Sequence, residues 1–278
     1  MHAAAEKKGI SQPALTKSLR LLEADLQAEL FVRSHKGLEP TDEGRALYRH
    51  ARAIDQEARF AALDIGEMHE TMGGQISIGV GPVLAMSTFP AVLAEFHRQL
   101  PRVEILVETG IADHLVDGLM HERFDVVVAA RPETLLPERF VTVPLFTTDM
   151  VVICRSGHPL GGRKAITRAD LTAYRRVGFV DDREFEKRSR RLFGRRSDRL
   201  RPVLQTTSLT IMFGVLATTD YYAIVSSIIV QRARREGLAD YRLAGGLWEL
   251  DIELMCKGSL ASSKPIGLLR RLLSAHPA

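Results

Sequence analysis

The sequence is poor in cysteine: two thiols, Cys154 and Cys256, in 278 residues. Two thiols cannot build a disulfide framework, and alone they cannot complete a structural metal site. Aromatic residues make up only 6% of the chain, with a single tryptophan. No apolar run reaches the roughly 18 residues of a membrane span. The opening MHAAAEKKGISQ has no apolar core of the secretory kind, so the chain is expected to be cytoplasmic and to have no membrane partner. What is present is ordinary for a globular protein: 45% hydrophobic and 26% charged residues. That excludes disordered, collagen-like and purely coiled-coil classes. Against a soft prior of about 150 residues per domain, the length suggests two folded units.

The formal net charge is only +4. Its location matters more than its size. Residues 183–201 hold nine Arg or Lys against three acids, whereas the first 60 residues hold ten basic and nine acidic side chains. Bulk charge alone would send nucleic acid to the middle of the chain. No interleaved aromatic series accompanies that stretch, so it reads as a solvated helix face.

Three zones follow one another. Residues 1–40 combine short helical patterns with a Gly/Pro-punctuated loop, and 41–72 form one long helical pattern rich in Ala, Glu and Arg. From Gln75 onward, β-branched runs (QISIGV, VEILVE, DVVVAA, MVVIC, RVGFV, YYAIVS, LDIELMC) alternate with helical segments. Such alternation predicts an α/β body with largely parallel sheets. Gly73-Gly74 marks the expected boundary.

In the front zone, Ser11 is a good helix N-cap and Pro13 sits in the first turn, where its missing N–H costs nothing. Leu15, Leu19, Leu22 and Leu26 then recur at helical spacing and predict a buried stripe. Gln12, Thr16, Lys17 and Arg20 project from the other side. Upstream, Ala3–Lys8 reads as a short helix closed by Gly9. Two helices joined by a tight turn make a helix-turn-helix, whose second helix enters the major groove. Farther on, Ala46, Leu47, His50, Ala51, Ile54, Ala58, Ala61, Ile65 and Met68 form an apolar stripe on one long helix. Nothing in a small front domain would cover such a stripe, which implies a partner helix.

The stretch AAAEKKGISQPALTKSLRLLEADLQAELFVRSHKGLEPTDEGRALYRHAR resembles the winged helix-turn-helix of LysR-type transcriptional regulators. The paired alanines, Ser-Gln-Pro, Leu21-Leu22-Glu23, Leu30-Phe31-Val32-Arg33 and Thr41-Asp42-Glu43-Gly44 carry the match. Downstream, Gln75–Gly79, Phe96 with Leu100-Pro101, Phe124-Asp125-Val126 and Gly157-His158-Pro159-Leu160 are similar to the family's effector-binding domain. The family's front domain opens with a further helix before the paired alanines. The resemblance thus implies an incomplete front domain over 1–40, short of core and a poor DNA binder as it stands. A linker and dimerisation helix over 41–73 follows.

The resemblance further implies a two-lobed, periplasmic-binding-protein-like effector domain over 74–278, with lobe I at about 74–146 and 251–278 and lobe II at about 147–250. The implied partners are double-stranded DNA, a small-molecule effector, expected to be an organic acid, and a second copy of the chain in a dimer or tetramer. Ser11, Gln12, Pro13, Thr16 and Lys17 would face the major groove, with Gln12 reading a base as amides can. Lys17, Arg20 and Arg33 would contact phosphates, and His35-Lys36-Gly37 would form the wing tip. Ligands in such sheets bind beyond the strand carboxyl ends. That points to Gly81, Pro82 and Val83, to Arg131, and to Thr206, Thr207 and Ser208 at a helix start suited to anions. Pro82-Val83 stands where relatives often have a hydroxyl residue, and Asp220-Tyr221-Tyr222 where a Gly-Leu-Gly-like turn is common. Both departures imply an unusual effector.

Enzymatic readings find little support. Gly79-Val80-Gly81 follows a strand but lacks the third glycine of a dinucleotide loop. His114 and His121, with Asp113 and Asp117, have no third ligand cluster and read as a solvated face. No Gly-x-Ser-x-Gly elbow or supported Cys-His pair occurs, and no cofactor is expected. Cys154 and Cys256 are expected to be buried neighbours on segments crossing between lobes. The alternative to a regulator is a ligand-binding module that has lost DNA binding by truncation.

Overall fold

A computed structural model describes residues 2–7, 9–34, 37–69, 74–132, 135–162 and 166–275. Lys36 of the expected wing tip lies outside the described residues, as does the side chain of Arg33. The chain divides into two compact units, Met1–Ala58 and Arg59–Ala278.

The first unit holds α1 (His2–Lys7), α2 (Gln12–Leu26), the hairpin β1 (Phe31–Ser34) and β2 (Gly37–Pro40), and the start of α3 (Asp42–His69). Gly9 closes α1 at φ +65°, a left-handed conformation that glycine adopts without a Cβ penalty. Ser11 then caps α2 by accepting from the Ala14 N–H at 3.3 Å. Thr41 joins hairpin to helix: its hydroxyl donates to the Glu29 carbonyl at 2.6 Å and accepts from the Gly44 N–H at 2.9 Å. A Cβ on Gly44 would lie 2.1 Å from the Leu30 carbonyl oxygen, so this turn tolerates only glycine.

The expected leucine stripe of α2 is only half realised. Leu15 and Leu19 are half-buried, but Leu22 and Leu26 are 42% and 47% exposed. Among the described residues of this unit, only Ala5, Leu30, Gly44 and Gln56 are classed as buried. So small a set provides no floor for the outer leucines.

The second unit opens with the rest of α3. Its strands are β3 (Gln75–Val80), β4 (Glu104–Thr109), β5 (Val126–Ala130), β6 (Phe140–Arg155), β7 (Arg175–Gly178), β8 (Pro202–Gln205), β9 (Tyr221–Ser226), β10 (Leu238–Tyr241) and β11 (Glu249–Lys257). Its helices are α4 (Pro82–Ala85), α5 (Phe89–Gln99), α6 (Ala112–Met120), α7 (Arg168–Leu171), α8 (Arg183–Phe193), α9 (Leu209–Thr218), α10 (Val230–Arg235) and α11 (Lys264–Ala275).

The strand order is β4-β3-β5-β11-β6-β9-β7-β8, with β10 on β6. Pairing is parallel within β4-β3-β5 and within β9-β7-β8. Every pairing made by β6 or β11 is antiparallel, which corrects the expectation of largely parallel sheets. The reason is the connection itself. β6 leaves one lobe for the other and β11 returns beside it, and two neighbouring strands that travel out and back must run in opposite directions.

Each lobe buries both faces of its sheet, as continuous apolar strands require. In lobe I, Ile76, Ile78 and Val80 pack with Phe89, Phe96 and Leu269 on one side, and Leu115, Phe124 and Val127 pack on the other. In lobe II, Met212 and Phe213 of α9 cover one face, and Phe185 and Phe193 of α8 cover the other. The basic stretch 183–201 therefore does have a solvated face, but α8 turns Phe185, Ser189 and Phe193 inward. Cys154 and Cys256 are both buried, yet they are not neighbours: Cys256 pairs with Val141 at one end of β6, and Cys154 sits at the other end in a separate core.

Candidate functional site

The first candidate surface is the exposed side of α2. The Ser11 cap and the 3.6-residue period put Gln12, Thr16 and Arg20 in one row and Pro13, Lys17 and Leu21 in the next, along one open groove. Gln12, Lys17 and Arg20 are solvent-exposed, and the Thr16 hydroxyl donates back to the Gln12 carbonyl at 2.9 Å. The helix thus offers an amide, two cations and a hydroxyl on the face opposite Leu15 and Leu19. Groups of this kind read base edges and hold phosphates.

The second candidate is the crevice between the lobes. Its inner part is a cavity of about 120 Å³. Strand ends meet there: Gly81, Pro82 and Val83 follow β3, Ala129 and Ala130 close β5, and Ile224–Ser226 close β9. The walls are mostly apolar, and among the described residues Asp182 is the only charged one on them. This half-buried side chain caps α8 by accepting from the Phe185 N–H at 3.0 Å. Burial pushes its carboxyl pKa up, opposed by that hydrogen bond and by nearby Arg176. Outward, the crevice widens into a space of about 570 Å³ whose charged lining is Asp113, Asp117, Asp181 and Arg183, with His114 beside them. Carboxylates outnumber cations along the whole path.

The remaining expected residues sit differently. Arg131 follows β5 but lines neither part of the crevice. It is ion-paired to Asp251 at 3.2 Å and to Glu253, whose carboxylate is buried. Its charge is therefore already matched. Thr207 lines the outer space, whereas Thr206 and Ser208 serve the backbone. The Thr206 hydroxyl accepts from the Ser208 N–H at 3.0 Å, and the Ser208 hydroxyl caps α9 by accepting from Ile211 at 3.3 Å. Both side chains satisfy donors that an anion at this helix start would otherwise have met. Sequence reasoning missed Asp181 and Asp182, and it set Asp113 and Asp117 aside as a solvated face. Two distant segments, α6 and the turn before α8, supply them, so no local spacing could announce the cluster.

Family comparison fixes what the geometry belongs to. The description "LysR substrate binding domain" matches residues 69–278, and "Bacterial regulatory helix-turn-helix protein, lysR family" matches residues 1–45. The chain belongs to the LysR family. Among the LysR proteins similar to it, the nitrogen assimilation regulatory protein nac of Klebsiella aerogenes is 31% identical over 151 residues, covering 54% of this chain and 49% of that one. The DNA-binding transcriptional dual regulator OxyR of Escherichia coli is 28% identical over 168 residues, covering 60% and 54%. The chain spans about half the length of the curated relatives it matches.

Among solved structures, a full-length OxyR variant from Pseudomonas aeruginosa gives a TM-score of 0.71 at 18% identity over 98% of this chain and 88% of that one. CbnR complexed with its target DNA gives 0.66 at 19% identity, over 99% and 93%. The effector-binding domain of QuiR in complex with shikimate gives 0.60 at 17% identity, over 73% and 97%. At these identities the likeness shows the fold: a helix-turn-helix region followed by an α/β effector-type domain. The curated relatives are regulators rather than enzymes, and no described helix is long and apolar enough to cross a membrane.

Proposed function

We propose that the chain is a cytoplasmic, non-enzymatic LysR-type transcriptional regulator that binds operator DNA through α2 and takes a small-molecule effector between the lobes of 74–278. The observation that carries this reading is the pairing of two surfaces on one family-matched chain: a polar-fronted, correctly capped α2 and a crevice at converging strand ends. Ser11, Gln12, Pro13 and Thr16 are the base-facing set. Lys17, Arg20, Arg33 and Lys36 supply phosphate contacts. Gly81, Pro82 and Val83 form the inner floor of the effector site, and Thr207 its rim. The α3 stripe supports self-association, since Ile54 and Ile65 are 70% and 55% exposed and Ala58 and Ala61 lie exposed between them.

The crevice argues for a different effector from the expected organic acid. An acid would meet Asp182 inside and three further aspartates outside, with Arg131 already engaged. A compact apolar molecule bearing an amine suits the walls and the carboxylates better, because a charge taken out of water needs an opposite partner.

Thermal shift of the full chain against primary amines and isosteric carboxylates tests this, since a ligand bound only to the folded state raises apparent stability by mass action. An amine is expected to raise the melting temperature and to lose that effect in Asp182→Asn. Asparagine caps helices as well as aspartate, so that variant keeps α8. Stabilisation by carboxylates alone would overturn the amine reading. Operator affinity unchanged by every stabilising compound would overturn effector control.

A further inference from the structure

Lobe II contains a second cavity, of about 410 Å³, that shares no lining residue with the crevice. At its base lies Arg176 of β7, only 5% exposed. Its Nε donates to the Leu200 carbonyl at 2.6 Å, and its guanidinium carbon lies 3.9 Å from the centroid of the Phe185 ring. Those two contacts hold the guanidinium flat and use one of its five N–H donors. Among the described residues, neither terminal nitrogen has a hydrogen-bond partner. Glycine at 178 leaves room for them: a Cβ there would stand 2.6 Å from Nη1. Burial lowers the Arg176 pKa to about 10, so the group is still a cation at neutral pH.

The cavity wall repeats the pattern. Ser189 of α8 lines it, is 2% exposed, and its hydroxyl has no partner. Of the other charged residues on the wall, Arg190 stands 4.0 Å from Glu186 and Arg201 stands 3.4 Å from Asp198. With those two pairs neutralised, Arg176 leaves the lining one positive charge in excess. Unmade hydrogen bonds on buried groups are costly, and Asp182 and Glu186 act on the Arg176 cation through space without supplying partners to its terminal nitrogens. A site that keeps such unmet groups beside open space is built for something that completes them.

We propose that this cavity binds a small oxyanion, a carboxylate or phosphate group, received by the two terminal nitrogens of Arg176 and the hydroxyl of Ser189. The guanidinium fork matches two oxygens at once, and the Phe185 ring already fixes its plane. The site needs neither the crevice effector nor DNA.

Isothermal titration of the full chain with inorganic phosphate, and separately with succinate, at constant ionic strength in chloride, tests the proposal. Saturable 1:1 binding of either is expected, and the better ligand identifies the anion class. Arg176→Lys keeps the charge but loses the fork and should weaken binding about tenfold or more. Ser189→Ala should weaken it several-fold while the melting temperature of the empty protein holds or rises, because an unpaired buried hydroxyl is removed. Asp117→Asn, on the outer crevice wall and not among the groups acting on Arg176, should leave oxyanion binding unchanged, which separates this site from the effector reading. Absence of saturable binding by both anions, or binding that Arg176→Lys and Ser189→Ala leave intact, would overturn it.

Discussion

Arg59 and Asp125 lock the end of the long helix to lobe I. Their 3.0 Å ion pair joins a fully buried carboxylate to a guanidinium that also donates to the Gln75 carbonyl at 2.9 Å. The same carboxylate accepts from the Ser77 N–H at 2.7 Å and from its hydroxyl at 3.0 Å. Removing one partner of a buried pair leaves an uncompensated charge, at a cost of about 3–5 kcal/mol. Asp125→Ala should therefore lower the urea midpoint of the effector unit strongly, whereas Arg98→Ala, which breaks only a solvent-exposed contact with Glu95, should leave it nearly unchanged. Equal effects from the two would sink this assignment.

Gln12 and Lys17 lie on one face of α2 but should fail differently when changed. Gln12→Ala is expected to cost about 1–3 kcal/mol at one base and relax preference there, while Lys17→Ala weakens all sequences alike and flattens the salt dependence by about one charge. Fluorescence anisotropy with specific and random duplexes, on a form carrying any preceding helix, reads both. Parallel losses would remove Gln12 from base readout.

The stripe on α3 makes a separate demand. Ile54→Glu with Ile65→Glu should convert an assembled species to monomer while leaving the folded units intact. Sedimentation velocity beside far-ultraviolet circular dichroism measures the two together. An unchanged sedimentation coefficient would mean that other surfaces hold the copies.

The thiols give a pH signature. Burial pushes Cys154 up to about 12 and Cys256 up to about 11. Both pKa values are raised on folding, so neutral thiols favour the folded state fully below the unfolded value. That contribution fades as pH rises through about 11 to 12. At pH 8 neither thiol should react with a disulfide reagent until the protein unfolds, because the thiolate is the nucleophile. Fast labelling of native protein would contradict the burial of both. Because they lie in separate cores, peroxide should not join them in a disulfide.

Much of this architecture is legible in local sequence. A Ser-x-Pro start, a Gly stop and a 3.6-residue stripe are consequences of short-range geometry, and α1, α2 and α3 follow them closely. Elements whose meaning depends on distant segments are not legible in the same way. Leu22 and Leu26 have the right period, but burial needs a neighbour that periodicity does not supply. Arg131 looks like a ligand-seeking cation until β11 brings Asp251 and Glu253 beside it. Arg176 hides in an apolar strand because arginine is a surface residue by habit, and only the tertiary fold shows it covered. The four aspartates of the crevice arrive from two lobes, so neither charge counting nor spacing could have gathered them.

Strand β11 sits between β5 and β6, although it follows every strand of lobe II in sequence. On a ribosome this reverses the usual order in which earlier segments settle first. All strands of lobe II have emerged once Tyr241 is out, while lobe I lacks its central strand until Lys257 and its covering α11 until Ala275. Lobe II is therefore free to fold during synthesis. Lobe I must hold two open strand edges until β11 arrives to close its sheet, and that waiting period leaves the nascent protein exposed to edge-to-edge aggregation.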